Sequence, residues 1–328
     1  MSCLKSKIIL VSPAAKEANN GNWHTAYRWA KFLSGHCDIA ITQSWNAAVE
    51  NPDAIPDVMI ALHARRSAPS IHAWAAQHPG KPLVVVLTGT DLYRDIQNDA
   101  TAKQSLDLAT HLVVLQEAGL AALPARLQGK AQVIYQSAQR LKSASKPTEQ
   151  FKAVMVGHLR DEKDPLTFIK AAELCDAKNI SFKQIGDGLD AALAGAASQA
   201  EAHQPNYRWL GGLPRAQTRQ CIKRAHVLVN CSLMEGGAHV ILEAVQSGTP
   251  VLASRISGNV GMLGADYAAY FETGDAAELA ELVKRCATAP AFLAHLQSQC
   301  SRRAELFQPA IEKRLVLKLI TDALSHLH

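Results

Sequence analysis

With 328 residues, 48% of them hydrophobic, the chain can bury two ordinary cores, so two domains are expected. The net charge of +5 is carried by Lys and Arg scattered through both halves, with no basic run interleaved with aromatics, which argues against nucleic acid as a partner. Seven cysteines without a Cys-x-x-Cys pair argue against a disulfide framework or a structural zinc and for reduced, mostly buried thiols.

The chain opens with an apolar run that starts at Lys7 and meets Pro13, too short for a signal peptide. No apolar run approaches membrane-spanning length, so a soluble, cytoplasmic protein with no membrane partner is expected. Short apolar runs recur through the first half at 7–11, 38–42, 58–62, 83–87, 111–115 and 132–135. They are rich in Val, Ile and Leu without polar alternation, the pattern of parallel strands covered by helices on both faces. After the first run, Trp23, Ala26, Tyr27, Ala30 and Leu33 fall on one face of an amphipathic helix.

Three polar loops follow strands of this half. Asn19-Asn-Gly-Asn-Trp-His24 opens the first helix, where backbone N–H groups can meet an anion; it holds Asn20, Gly21, Asn22 and His24. Ala61-Leu-His-Ala-Arg-Arg-Ser67 places His63, Arg65 and Arg66 just past a strand, and Leu87-Thr-Gly-Thr-Asp-Leu-Tyr-Arg-Asp95 does the same for Thr88, Thr90, Asp91 and Arg94. Parallel strands send all three loops to one sheet edge. Taken singly, each His reads more readily as a satisfied structural residue than as a catalyst. Together the loops form a polar, cationic pocket suited to a small anionic acceptor.

A polar, linker-like stretch at 141–148 separates the halves. A second strand series follows at 153–156, 181–185, 207–210, 227–230, 251–253 and 269–271, and Ile311, Leu315, Leu319, Leu324 and Leu327 mark a last helix with Pro309 near its start. The expected organisation is an N-terminal domain over 1–145, a C-terminal domain over 150–305, and a helix over 306–328 packing back toward the first domain. Two doubly wound α/β domains in tandem bind ligands outside their strand C-termini, so the cleft between them is the expected site.

The densest chemistry lies between 235 and 251. Glu235 follows a buried strand, Gly236 and Gly237 bare the backbone beside it, and a helix is predicted from Gly237 through Val240, Ile241, Ala244 and Val245 to a stop at Gly248. Bare N–H groups at that helix start favour an anion, and a carboxylate there suits hydroxyls. Glu243 sits on a largely apolar helix and needs partners that ribose hydroxyls would supply. Together these features suggest a sugar nucleotide. Upstream, Val156-Gly-His-Leu-Arg-Asp-Glu-Lys163 presents Arg160 and Lys163 past a strand end, where two cations can neutralise a diphosphate leaving group; the alternative is a solvated loop in which they pair with Asp161 or Glu162. Ile185-Gly-Asp-Gly188 reads as a structural turn, and Ser257-Gly-Asn-Val-Gly261 as a candidate pocket lining.

These motifs, from Gly157–Lys163 through Gly186–Gly188 and 210–213 to Glu235, Glu243 and 248–251, resemble the nucleotide-sugar-binding domain of the large retaining family of GT-B glycosyltransferases. The resemblance implies that Glu243 holds the ribose, that Glu235 contacts the donor sugar, and that loop cations bind the diphosphate. One departure stands out: His158 occupies the place of an arginine, and Arg160 is expected to take over its role. The three N-terminal loops, over 20–26, 61–68 and 86–95, resemble more narrowly the selenosugar synthases of selenoneine biosynthesis (SenB-type), so that the likeness spans nearly the whole chain. It implies transfer of a sugar from a UDP-sugar, typically UDP-GlcNAc, onto selenophosphate, followed by loss of phosphate. It also implies functional links to enzymes that supply selenophosphate and consume the selenosugar. Asn20, Gly21, Asn22, Arg65, Arg66, Thr88 and Thr90 are then acceptor residues, His158, Arg160, Lys163, Glu235, Gly236, Gly237 and Glu243 donor residues, and His24, His63 and Asp91 candidates for assisting catalysis. No cofactor or metal is expected. Oligomeric state is not legible in the sequence.

Overall fold

The computed structural model describes residues 6–14, 21–46, 55–142 and 144–325; Asn20 of the predicted acceptor loop and Leu327 of the last helix lie outside them. Packing divides the chain into two units, the second running continuously from Ser137 to Gln308 and the first combining everything before it with the segment from Pro309 onward.

The first unit holds a six-stranded parallel sheet of β1 (Lys7–Val11), β2 (Asp38–Thr42), β3 (Val58–Leu62), β4 (Leu83–Leu87), β5 (His111–Val114) and β6 (Ala131–Val133), in the order β2-β1-β3-β4-β5-β6. Successive side chains of a strand take opposite faces. Leu83, Val85 and Leu87 enter one core with Ile71 and Trp74, while Val84 and Val86 enter the other with Trp29 and Leu33. A sheet covered on both faces leaves no side for polar alternation, which is why the central runs β3 and β4, buried throughout, read as continuously apolar.

The first helix, Gly21–Leu33, buries Thr25, Ala26, Trp29 and Leu33. This corrects the predicted face: Tyr27 is 57% exposed, and Trp23 stacks on it at 6.2 Å between ring centroids. The reason is a contact 283 residues away in sequence, the indole N–H of Trp29 donating to Glu312 Oε1 at 2.8 Å. Glu312, fully buried, also accepts from Arg28 Nε at 2.7 Å and Nη2 at 3.0 Å. It belongs to the last helix, Pro309–Ser325, whose Val316, Leu319 and Ile320 join the core around Trp29.

The second unit repeats the architecture with β7 (Phe151–Val156), β8 (Ile180–Ile185), β9 (Tyr207–Trp209), β10 (Val227–Asn230), β11 (Val251–Ser254) and β12 (Tyr270–Phe271), all parallel, in the order β12-β11-β10-β7-β8-β9. Chain direction across this sheet reverses between β7 and β10, which opens a crevice beyond their carboxyl ends. Among the described residues, no helix is long and apolar enough to cross a membrane.

Candidate active site

The loops that leave β7 and β10 meet at that crevice. Val156 is followed by Gly157 and a single 3-10 turn, Asp161–Lys163, closed by Asp164 in the left-handed region (φ 45°). Asp164 caps the next helix, Pro165–Leu174, accepting from Thr167 N at 3.3 Å and Thr167 Oγ1 at 2.5 Å. The turn is tied to the second loop by the Leu233 N–H donating to Glu162 O at 3.0 Å. Lys163 thereby reaches across and donates to Glu235 Oε1, which also accepts from Ser232 Oγ at 2.7 Å and Asn230 Nδ2 at 3.5 Å. Burial pushes the Glu235 carboxyl up, but the Lys163 ammonium and these hydrogen bonds outweigh it and hold the group below its ordinary value.

Behind Glu235 lies a polar network absent from the sequence reading. Asn259 Nδ2 donates to Asn230 Oδ1 at 3.2 Å, Ser254 O at 3.0 Å and Ser254 Oγ at 3.1 Å, and Ser254 Oγ donates to Ser232 O at 2.6 Å. Gly258 packs against the Glu235 backbone so closely that a Cβ there would stand 2.0 Å from Glu235 O. The run 257–261 thus supports Glu235 from beneath.

Glu243 lies on a seven-residue helix, His239–Val245. The helix starts two residues later than predicted, so Gly236 and Gly237 belong to the loop and Glu235 is not at a helix N-terminus. Glycines lose the most backbone freedom in a helix, and here Gly236 and Gly237 form a bend ahead of it, with Glu235 held by its bonds to Lys163 and Ser232. At the other end Gly248 adopts φ 71°, the stop its position predicted. Glu243 is 5% exposed and partnered by cations that the sequence reading missed. Its Oε1 lies 3.3 Å from Arg215 Nη2, 3.7 Å from Arg219 Nε and 3.4 Å from His239 Nδ1. Burial raises this carboxyl; the His239 hydrogen bond and the charges of His239, Arg215 and Arg219 bring it below its ordinary value.

His158, at the position where an arginine was expected, accepts from the Asp187 N–H at Nδ1 (3.1 Å). Burial lowers its pKa against the pull of Asp187. A neutral ring with Nδ1 accepting carries its proton on Nε2 and is a donor there. Arg160 lies 3.9 Å from Glu162 Oε2, the loop pairing weighed above, whereas Lys163 is committed to Glu235. Gly186 (φ 150°) has a structural role: a Cβ would stand 2.0 Å from Gly157 O.

In the first unit, the loops after β3 and β4 interlock. Asp91 is fully buried, its Oδ1 accepting from Thr88 N and Gly89 N at 2.9 Å each and its Oδ2 from Ala64 N at 3.0 Å. His63 adopts φ 72°, rare for a side-chain-bearing residue, and is 1% exposed. Its Nδ1 accepts from Arg66 N at 3.3 Å and its Nε2 lies 3.0 Å from Thr90 Oγ1. Burial, opposed by Asp91 and Asp95, lowers its pKa, so the ring is neutral. Arg65 and Arg94 share Asp95, at 2.8 and 3.1 Å. The Arg66 guanidinium is exposed and meets no hydrogen-bond or ion-pair partner among the described residues. Gly21 and Asn22 begin the first helix, and His24 lies in its first turn, where its carbonyl accepts from Arg28 Nη1 at 3.4 Å.

Residues 137–306 match the family model described as "Glycosyl transferases group 1". A curated relative, "Glycosyltransferase 1 domain-containing protein 1" of Xenopus tropicalis, is 30% identical over 152 residues; the match covers 45% of this chain and 44% of that protein, less than half of its length. Among solved structures, HepE of Anabaena in complex with UDP and glucose superposes with a TM-score of 0.75 at 15% identity, covering 97% of this chain and 99% of that one. Sucrose-phosphate synthase of Thermosynechococcus elongatus gives 0.78 at 14% identity, covering 98% and 100%. The fold is that of GT-B glycosyltransferases, with two parallel six-stranded sheets each covered by helices. By the match across more than half of its length, centred on the unit that carries Lys163, Glu235 and Glu243, the chain belongs to the glycosyl transferases group 1 family.

Proposed function

We propose that the protein is a selenosugar synthase: it transfers the sugar of a UDP-sugar, typically UDP-GlcNAc, to selenophosphate. The C1–O bond of the donor breaks and UDP leaves with the electron pair, while selenium supplies the pair for the new C–Se bond. Water then attacks phosphorus and the P–Se bond breaks, giving phosphate and a selenol-bearing sugar. The donor half of this reading rests on the family match and on the likeness to structures described with UDP or UDP-glucose. In this reading His158, Arg160 and Lys163 meet the diphosphate and Glu243 the ribose, with Glu235, ion-paired to Lys163, facing the sugar.

One observation carries the acceptor half. Two of the three first-unit candidates for a general base, His63 and Asp91, spend their polar atoms on Thr90 and on backbone N–H groups, while Arg66 leaves a whole guanidinium unengaged. A hydroxyl acceptor needs deprotonation; selenophosphate is an ionised, soft nucleophile that needs cations instead. Arg65, Arg66, Arg94, Thr88 and Thr90 supply them and the accompanying donors. His63 and Asp91 are assigned to holding these loops.

The test is incubation of purified protein with UDP-GlcNAc and selenophosphate, scored by UDP release and by mass spectrometry of a selenium-bearing sugar. UDP release no greater than from donor alone overturns the proposal. Release with sugars or polyols but not selenophosphate identifies an ordinary hydroxyl acceptor; conversion of the donor with no acceptor identifies a UDP-sugar epimerase; UDP binding without turnover identifies a sensor.

A further inference from the structure

Around Glu243 the structure places more positive charge than one carboxylate needs. Arg215 and Arg219 stand one helical turn apart on the helix Arg215–Arg224, and His239 stands one turn before Glu243 on its own helix. Arg215 Nε and Nη2, Arg219 Nε and His239 Nδ1 converge on Oε1 of this carboxylate. Arg219 is itself held, its Nη2 donating to Gln139 O, and its side chain is only 15% exposed. These three are the ion-pair partners of Glu243 among the described residues.

Two guanidiniums on one oxygen have a geometric consequence. A buried carboxylate can rotate or take up a proton when its partners are hydroxyls alone; here Oε1 accepts from Arg215 and faces the charge of Arg219 at 3.7 Å, so the negative charge is retained. The remaining acceptor is Oε2, with a single orientation. A carboxylate whose second oxygen has a fixed direction recognises a hydroxyl at one position and leaves a group lacking it with an unpaired charge, which is how polar sites reject analogues missing a hydroxyl.

Resting on the donor-site reading above, we propose that Arg215 and Arg219 are positioning residues for nucleotide recognition: with Arg215 donating to Oε1 of Glu243 and Arg219 holding its charge, they aim Oε2 at one ribose hydroxyl and make binding depend on that hydroxyl. They act through Glu243 without contacting the sugar being transferred. Arg219, the more buried of the two, carries most of the effect.

The experiment is titration calorimetry of the full chain with UDP, 2′-deoxy-UDP and 3′-deoxy-UDP between pH 5 and pH 8. Wild type is expected to bind one deoxy analogue about tenfold or more weakly than UDP, the scale of a hydrogen bond to a charged group, with little dependence on pH. In Arg219→Met the ratio falls toward one, and UDP affinity drops as pH is lowered, because burial without the compensating cations raises the Glu243 carboxyl into the measured range. Arg215→Lys keeps the charge without the planar fork and is expected to retain the flat pH profile while losing part of the discrimination. Discrimination and a flat pH profile both preserved in Arg219→Met would overturn the inference. Glu243→Gln separates the two levels of the argument. If it leaves the deoxy ratio at the wild-type value, the ribose reading itself fails; if it abolishes the ratio while Arg219→Met does not, only the role given to the arginines fails. Should Arg219→Met not fold, Arg215→Met, at a 45% exposed site, is measured in its place with the same expected direction.

Discussion

Lys163 donates to Glu235 Oε1 although 72 residues separate them, because adjacent strands β7 and β10 deliver their loops to the same point. The ion pair sets the charge state of the residue expected to face the donor sugar. In Lys163→Met the buried carboxyl loses the cation that offsets its desolvation, so its pKa rises. The expected result is a fall in kcat/KM of about a hundredfold, the scale of removing one preorganised electrostatic partner. The acid limb of the pH–rate profile should also move upward, into the range where wild type is flat. A profile parallel to wild type would mean that Glu235 does not govern turnover.

Gly258→Ala tests the support beneath the same carboxylate. The added methyl would stand 2.0 Å from Glu235 O, so the loop must shift. Overpacking of this kind costs about 1–3 kcal/mol. The variant should keep its far-ultraviolet circular dichroism and lose about tenfold or more in turnover.

Arg65 and Arg66 are neighbours with unlike surroundings. Arg65 is anchored to Asp95, whereas the Arg66 guanidinium has no hydrogen-bond or ion-pair partner among the described residues. Arg66→Ala should raise the selenophosphate KM by about tenfold, leaving the UDP dissociation constant and the melting temperature unchanged. Arg65→Ala should weaken acceptor use and lower the melting temperature as well. Equal effects on UDP and on acceptor would show that these loops do not form an acceptor site.

Stability between pH 5 and 7 should be governed by buried neutral histidines. His63, His158 and His226 all have their pKa lowered from 6.5, chiefly by burial. The unfolded chain therefore binds more protons than the folded one just below 6.5, so stability is full above that value and is lost as pH falls through it. Asp95, Glu235 and Glu243, lowered in the folded state, contribute their losses only at more acid pH. Thermal melts at pH 7.5 and 5.5 should show a drop that His63→Asn reduces; asparagine is among the side chains that best tolerate the left-handed backbone at this position. An unchanged drop in that variant would remove His63 from the account.

The buried acceptor in the last helix gives the largest expected loss. Glu312→Ala leaves the Trp29 indole N–H and the Arg28 guanidinium without their shared partner, and should cost about 3 kcal/mol, visible in the urea midpoint. Glu312→Gln keeps one acceptor and should cost less.

The inner strands were legible because runs such as Val58–Leu62 and Leu83–Leu87 are almost wholly aliphatic, and burial on both sheet faces writes that pattern directly into the sequence. Glu235 and Glu243 were legible as chemistry because glycines and an apolar helix surround them. Arg215 and Arg219 were not, since what identifies them is a contact between two helices 24 to 28 residues apart. Their only local mark is an Arg-x-x-x-Arg spacing after Pro214, which any solvated helix face can show. The first helix was assigned the wrong face for the same reason: periodicity favoured Trp23 and Tyr27, while a carboxylate near the far end of the chain selected Trp29.

The return of the segment Pro309–Ser325 to the first unit reverses the usual relation between synthesis and folding. Domains ordinarily fold in the order in which they emerge, the N-terminal one first. Here the second unit, continuous from Ser137 to Gln308, is fully synthesised while the first still lacks Val316, Leu319, Ile320 and the acceptor for Trp29. The part of the chain made earliest is thus the last to be completed, and a ribosome-bound chain ending before Glu312 carries a finished second unit beside an open first one.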